Sequence, residues 1–119
     1  MAKILLAEDD DSMRNFLTRS IERAGHMVVA VSSGERAMPF VEAETFDLLL
    51  TDIVMPEMDG IELAQKAVAI LPELKVMFIT GFAAVALNER NAAPKNSKIL
   101  SKPFHLKDIV GEIERLLAA

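Results

Sequence analysis

Polar side chains that could carry out charge-driven chemistry occur at the ends of several short apolar runs in this sequence. They are Glu8 with Asp9, Asp52, Thr80 and Lys102. Carboxylate oxygens bind hard divalent cations, and a carboxylate can also act as a nucleophile. A hydroxyl group and a lysine ammonium group can donate hydrogen bonds to an anion. These residue types therefore predict chemistry in which a metal ion and an anionic group meet at a carboxylate.

The summed charge of these residues indicates which ion and which group the site would hold. Glu8, Asp9 and Asp52 bring three negative charges into a small cleft, which is costly unless a cation compensates them. Ligands that are all oxygen select a hard ion, and a few carboxylates together with water suit Mg²⁺. Mg²⁺ and Lys102 would bring the local charge to about zero and could bridge a phosphoryl group. We therefore predict phosphoryl transfer onto a carboxylate, with the Thr80 hydroxyl as a donor to a phosphoryl oxygen.

An alternation of short apolar runs and longer amphipathic stretches must position these residues. The apolar runs predict five strands, at 4–7, 28–31, 46–51, 76–80 and 98–101. The amphipathic stretches predict five helices, at 12–24, 33–43, 61–70, 83–90 and 105–117. Strands that alternate with helices imply an α/β fold, in which a parallel sheet carries helices on both faces. Because the carboxyl ends of parallel strands share one edge, the polar residues should meet there.

Length and composition limit the class of protein. The chain has 119 residues, so we expect a single domain over residues 1–119. The absence of cysteine excludes disulfides and thiol chemistry. A formal charge of −5, with no tyrosine or tryptophan for base stacking, argues against a nucleic-acid partner. The apolar run at 4–7 is too short for a signal peptide and no run approaches a membrane span, so we expect a cytoplasmic protein without a membrane partner.

Five sequence elements, in order and at the predicted strand ends, resemble those of one known family. They are the acidic pair Glu8-Asp9, Asp52, the turn Met55-Pro56-Glu57-Met58-Asp59-Gly60, Thr80 and the element Lys102-Pro103-Phe104. On these motifs the chain resembles the receiver domain of bacterial two-component response regulators, from Lys3 to about Leu117. The resemblance implies a flavodoxin-like (βα)5 fold, with five helices and a five-stranded parallel sheet in the order 2-1-3-4-5.

The resemblance also implies a role for each residue of the site. Asp52 would be the phosphoacceptor nucleophile, and Asp9 and Asp52 would bind Mg²⁺ directly. The backbone carbonyl of Val54 would be a third protein ligand, and Glu8 would act mostly through water. Lys102 would pair with a phosphoryl oxygen.

The same resemblance implies a function in signal transduction. A histidine kinase or a histidine phosphotransferase would donate the phosphoryl group in a two-component phosphorelay. The protein would not be an enzyme, beyond slow self-dephosphorylation. Because the receiver accounts for residues 1–119, we expect no output domain and an output through contact with another protein. The stand-alone type that the chain resembles implies an adaptor for a AAA+ unfoldase–protease.

Three positions depart from the pattern of the family. Ile99 stands where members carry an aromatic residue that couples to the threonine at the Thr80 position. Aromatic rotation therefore cannot transmit a change of state in this chain. Val54 and Phe82, two residues beyond Asp52 and Thr80, are apolar and cannot orient a water molecule. We therefore expect slow loss of the phosphoryl group.

Other functions on the same kind of fold make different demands on the sequence. An aspartyl-nucleophile phosphatase would need a second aspartate at the position of Val54. A flavin- or nucleotide-binding domain would need uncharged, glycine-rich backbone after the first strand, where this chain has the four acids 8–11. A pseudo-receiver, which binds partners without taking phosphate, stays open because of Ile99.

Two further features have a structural and a functional interpretation. The apolar end at 116–119 is either a frayed helix end or a tail of the kind that unfoldase–protease machines engage. His26 and His105 lack the spacing of paired metal ligands. We expect them to be a loop residue and a helix-start residue.

Overall fold

The computed structural model describes residues 1–80, 97–101 and 106–118. Five strands occur in these segments: β1 (Lys3–Ala7), β2 (Met27–Val31), β3 (Leu48–Asp52), β4 (Lys75–Thr80) and β5 (Ser97–Ser101). They form one sheet in the order β2-β1-β3-β4-β5, and every neighbouring pair is parallel. The predicted α/β fold, its parallel sheet and its strand order are confirmed.

Four helices lie in the described segments: α1 (Asp11–Arg23), α2 (Gly34–Ala43), α3 (Gly60–Ile70) and α4 (Leu106–Ala118). The first three follow a polar residue whose side chain accepts a hydrogen bond from the first helical turn, namely Asp10, Ser33 and Asp59. The predicted helix at 83–90 lies outside the described residues, so the described part accounts for four of the five predicted helices. None of these four is long and apolar enough to cross a bilayer.

The strands present side chains to two apolar layers, because successive residues of a strand point to opposite faces. Leu5 in β1 and Phe78 in β4 pack on one face with residues of α2 and α3. Leu6 in β1 and Ile79 in β4 pack on the other face with residues of α1 and α4. All four are fully buried, and each such side chain contributes about 1.5–3 kcal/mol of hydrophobic stabilisation. The two layers hold the sheet firmly beneath its carboxyl edge.

The carboxyl ends of β1 and β3 form the point at which the winding of the sheet reverses. The chain passes from β1 outward to β2, and then returns past β1 to enter β3 on the opposite side. Such a reversal opens a crevice at the strand ends, where ligands of α/β proteins bind. Ala7 is in register with Thr51, so the residues that follow them, Glu8 and Asp52, come side by side. The fold therefore brings two of the predicted carboxylates to this crevice.

Candidate functional site

Three carboxylates converge at the carboxyl ends of β1 and β3. One oxygen each from Glu8, Asp9 and Asp52 lies within 4.8 Å of the other two. Glu8 is fully buried and Asp52 is 7 % exposed, whereas Asp9 is open to solvent. Carboxylates this close repel one another unless a cation lies among them. The arrangement fits a hard divalent ion such as Mg²⁺, which takes one or two carboxylates and keeps several of its waters.

The turn after β1 holds the first of these carboxylates by hydrogen bonds of its own. The Glu8 N–H extends the sheet by donating to the Val31 carbonyl at 3.1 Å. The Glu8 Oε2 atom accepts from the Asp10 N–H at 3.1 Å. Asp10 in turn caps α1, because its Oδ1 accepts from the Met13 N–H at 2.8 Å. Glu8 is therefore tied to the turn, and Asp10 belongs to the start of α1.

Arg14 is a residue of this region that the sequence interpretation missed. Its Nη1 donates to the backbone carbonyl of Glu8 at 2.9 Å, and its Nη2 donates to the Asp11 carboxylate at 2.6 Å. The Arg14 side chain is only 18 % exposed, so its charge lies beside the acidic turn. The signal in the sequence is the spacing of Asp11 and Arg14, which places both on one side of the first helical turn.

Asp52 is the last residue of β3, and the loop that follows orients its carboxylate. The Val54 N–H donates to the Asp52 Oδ1 atom at 3.2 Å. Val54 itself is apolar and 47 % exposed. The proposed metal contact of the Val54 carbonyl stays a prediction.

Gly60 brings the start of α3 against the end of β3. The Gly60 N–H donates to the Ile53 carbonyl at 2.8 Å, which closes the loop between Asp52 and the helix. Asp59 caps the helix by accepting from the Glu62 N–H at 2.8 Å. Gly60 ends the turn recognised in the sequence, and the structure adds a close backbone approach to Asp52.

A pair of carboxyl groups joins the same loop to α2. Glu57, in the loop, has a φ of 68°, in the left-handed region that few residues other than glycine adopt. A side-chain hydrogen bond with Glu57, together with its negative charge, raises the pKa of Glu35 above the ordinary value of a glutamate. Glu35 lies in the first turn of α2. The carboxyl groups of Glu35 and Glu57 are therefore close enough for each to affect the charge of the other.

Thr80 lies on the strand next to Asp52. It is fully buried at the end of β4, one residue beyond Ile79, whose Cα is the register partner of the Asp52 Cα. Thr80 is itself in register with Ser101, the last residue of β5. The described structure thus brings Glu8, Asp9 and Asp52 together and places Thr80 on the adjacent strand. The predicted residues Phe82, Lys102 and His105 lie outside the described residues.

Ile99 lies at the margin of the core. It is in register with Phe78 of β4 and packs, partly buried, against the apolar layer of α2 and α3. A branched aliphatic side chain is restricted in its rotamers, so it cannot swing as a flat ring can. Ile99, which replaces the aromatic residue of the family, is therefore a residue of β5 that packs against the sheet's apolar layer.

Comparison with known proteins identifies the family. The sequence profile of the response regulator receiver domain matches residues 4–114. The chain belongs to this family. The receiver domain is 60 % identical to the response regulator receiver protein CpdR of Brucella abortus (strain 2308) over 119 residues, which are 100 % of this chain and 99 % of that protein.

Other relatives carry the same domain in different settings. The sensor kinase CckA of Brucella abortus (strain 2308) is 32 % identical over 118 residues, covering 98 % of this receiver domain but 12 % of the kinase. A solved response regulator receiver protein from Sinorhizobium medicae WSM419 superposes with a TM-score of 0.91 at 32 % identity, covering 98 % of this chain and 94 % of that one. The predicted membership in the receiver domains of two-component systems is confirmed.

Proposed function

We propose that this receiver domain accepts a phosphoryl group on Asp52 from a phosphohistidine donor, in a step that depends on Mg²⁺. The observation that carries the proposal is the approach of Glu8, Asp9 and Asp52 to within 4.8 Å of one another. Asp52 ends the central strand β3 and is nearly buried, so its carboxylate is held in one place. A fixed carboxylate among others favours both metal binding and nucleophilic attack.

Transfer onto Asp52 exchanges one bond to phosphorus for another. An oxygen of the Asp52 carboxylate bonds to phosphorus while the P–N bond of the donor histidine breaks, and the electron pair of that bond returns to the imidazole. The Val54 N–H, which donates to Oδ1, restrains rotation of the carboxylate. The Thr80 hydroxyl and the Lys102 ammonium group would donate to the phosphoryl oxygens.

The metal site would use residues of both strand ends. Asp9 and Asp52 would bind Mg²⁺ directly, the Val54 carbonyl would complete the protein ligands, and Glu8 would act through water. When bound there, Mg²⁺ would neutralise the negative charges of the carboxylates and of the transferred phosphoryl group. Arg14 would hold the turn after β1 in shape through its bond to the Glu8 carbonyl.

The proposed output is contact with another protein. A phosphoryl group adds about −1.5 to −2 of charge at pH 7. This charge at the edge of the sheet would attract the Thr80 hydroxyl and the Lys102 ammonium group. The similarity to CpdR along the whole chain supports a stand-alone regulator, which we propose acts as an adaptor for a AAA+ unfoldase–protease when unphosphorylated. The similar domain in a sensor kinase supports a histidine kinase or histidine phosphotransferase as the phosphoryl donor.

Incubation with acetyl phosphate and Mg²⁺, followed by intact-mass spectrometry, tests the proposal. The native protein should gain one phosphoryl group, and neither Asp52→Ala nor the native protein with a metal chelator should gain it. Asp47→Asn, which changes an exposed aspartate at the opposite edge of the sheet, is the matched control and should be modified like the native protein. An adduct that survives Asp52→Ala would contradict the assignment of Asp52. Failure of the native protein to form an adduct would favour the pseudo-receiver, which Ile99 leaves open.

A further inference from the structure

A groove lies at the amino-terminal edge of the sheet, opposite the carboxylate cluster. It consists of two cavities of about 410 and 440 Å³ that share Asp47 and Leu117 in their walls. Each falls within the usual size of ligand pockets, about 300–1,000 Å³. Asp47 immediately precedes β3 and Leu117 lies in the last turn of α4, so the groove runs across the starts of the strands. We name it the basal groove.

The walls of the basal groove combine apolar surface with an acidic rim. The apolar part of the second cavity comes from five side chains, Phe46, Leu71, Pro72, Leu74 and Leu117. The rim carries three carboxylates, Asp47, Glu73 and Glu114, which outnumber its two cationic groups, the Met1 amino group and Lys75. Within the described segments, none of the three lies in an ion pair with a lysine or an arginine. The nearby Lys3 pairs with Glu44, and Lys75 donates to the Leu116 carbonyl at 2.7 Å.

A buried histidine in the same wall supports this picture. His26 lies between α1 and β2, where the sequence predicts a loop residue, and its side chain is only 9 % exposed. Its Nδ1 accepts a hydrogen bond from the Ala2 N–H at 3.1 Å, so a neutral ring carries its proton on Nε2. The Nε2 atom makes no hydrogen bond in the described part of the chain and lies 3.6 Å from the Glu114 Oε2 atom. The Nε2 atom of His26 thus faces the Glu114 carboxylate without forming a hydrogen bond to it.

We propose that the basal groove docks an extended segment of a partner protein that presents an apolar side chain flanked by lysine or arginine. The apolar walls would take the side chain, and the three carboxylates of the rim would face the cations. The same carboxylates repel phosphate, which disfavours nucleic acid and anionic membranes at this surface. A strand of five residues spans roughly 17 Å, so a segment bound here leaves Asp52 accessible. The partner would therefore bind independently of phosphoryl chemistry.

Titration of the ¹⁵N-labelled full chain with short peptides, followed by amide chemical shifts, tests the proposal. The probe is the peptide Lys-Gly-Leu-Phe-Gly-Lys, and its two controls replace either both lysines by glutamate or the apolar pair by serine. The probe should give saturable shifts around Asp47, Glu73 and Leu117, and both control peptides should bind more weakly. Glu73→Lys and Glu114→Lys should each weaken the probe by about threefold to tenfold.

Two variants separate docking in the basal groove from a general attraction between charges and from events at Asp52. Glu35→Lys makes the same charge change on an exposed residue of α2, and should leave binding within twofold of the native value. Asp52→Ala should also bind normally, so failure of the phosphoacceptor proposal and failure of this one are distinguishable. The proposal would be overturned if Glu35→Lys and Glu73→Lys weakened the probe equally, or if spermidine bound as tightly as the probe. It would also be overturned if the chemical shifts changed only at the carboxyl edge of the sheet, or if the protein associated with itself through the basal groove.

Discussion

Gly60 and Asp52 touch through their backbones: a Cβ atom at position 60 would lie 2.1 Å from the Asp52 carbonyl oxygen and 3.0 Å from the Ile53 Cα atom. Contacts this short do not occur between real atoms, and a packed backbone cannot turn aside as a side chain can. The start of α3 therefore rests on the strand end that carries the proposed phosphoacceptor.

Gly60→Ala should lower the free energy of unfolding by about 1–3 kcal/mol, because the added methyl group forces α3 away from β3. It should also reduce modification by acetyl phosphate, since the displaced backbone carries Asp52. Urea unfolding and intact-mass spectrometry measure the two effects. Gly34→Ala is the control, because the nearest atoms to a Cβ there belong to the Met58 side chain, at 3.1 to 3.2 Å, and not to backbone. Equal losses in the two variants would contradict a special backbone contact at Gly60.

Asp9→Asn should stabilise the metal-free protein and abolish its response to Mg²⁺. One of three mutually repelling charges disappears, which should raise the free energy of unfolding by about 0.5 kcal/mol or more. Mg²⁺ at a hundred times its Kd should stabilise the native protein by about 2.7 kcal/mol, and Asp9→Asn should lose this gain. Thermal unfolding with and without MgCl₂ measures both. Asp108→Asn, an exposed residue of α4, should keep the full response, and a full response in Asp9→Asn would exclude Asp9 as a ligand.

The pair of Glu35 and Glu57 should make the protein less stable as the pH rises from acid to neutral. Because Glu57 raises the pKa of Glu35, the folded state holds this proton more tightly than the unfolded state does. The resulting stabilisation is complete below the unfolded pKa and is lost as the pH rises through the higher folded pKa. Glu35→Gln removes the repulsion, so it should be more stable than the native protein at neutral pH.

Urea unfolding over a series of pH values measures this effect. The native protein should lose stability relative to Glu35→Gln over the range above the ordinary pKa of a glutamate. Glu22→Gln, an exposed residue of α1, serves as the control and should follow the native curve. Parallel curves for the native protein and Glu35→Gln would show that the two carboxyl groups do not interact in solution.

The variant Val54→Asn with Phe82→Asn should lose its phosphoryl group faster, by about tenfold, because polar side chains at these two positions, unlike the native apolar ones, can orient an attacking water. Val54 already lies at the surface beside the Asp52 carboxylate, so the substitution requires no repacking there. Release of inorganic phosphate after removal of acetyl phosphate measures the rate. Ile70→Asn, which changes an equally exposed apolar residue at the end of α3, should decay like the native protein. An unchanged rate in the double variant would be evidence against control by these positions.

Replacing Ala118 and Ala119 by aspartate should lengthen the lifetime of the protein in cells, if the tail is engaged by an unfoldase–protease. The helix α4 extends to Ala118. It is held there because Lys75 donates to the Leu116 carbonyl and because Leu116 and Leu117 pack against the core. Immunoblots after translation is stopped measure the lifetime, and replacement of both alanines by serine should preserve rapid turnover. Equal lifetimes of the native and aspartate forms would end the hypothesis of a degradation signal.

Much of the fold and part of the site follow from the sequence alone. The alternation of apolar and polar positions determines the strands and helices, because burial of one face depends on the spacing of near neighbours. Asp10 and Ser33 could be recognised as helix-start residues for the same local reason. Glu8 and Asp52 could be assigned to one edge because parallel strands end on the same side.

Only the tertiary structure decided how tightly distant parts of the chain approach one another. The contact of Gly60 with Asp52 and the pairing of Glu35 with Glu57 depend on how closely the loop after β3 packs against its neighbours. The basal groove depends on where α4 ends relative to the starts of the strands, because its walls combine Asp47, just before β3, with Leu117 in the last turn of α4. Residue types and their spacing describe only local conformational preferences. The contacts named above arise when separate layers of the fold pack together, so they cannot be predicted from local preferences.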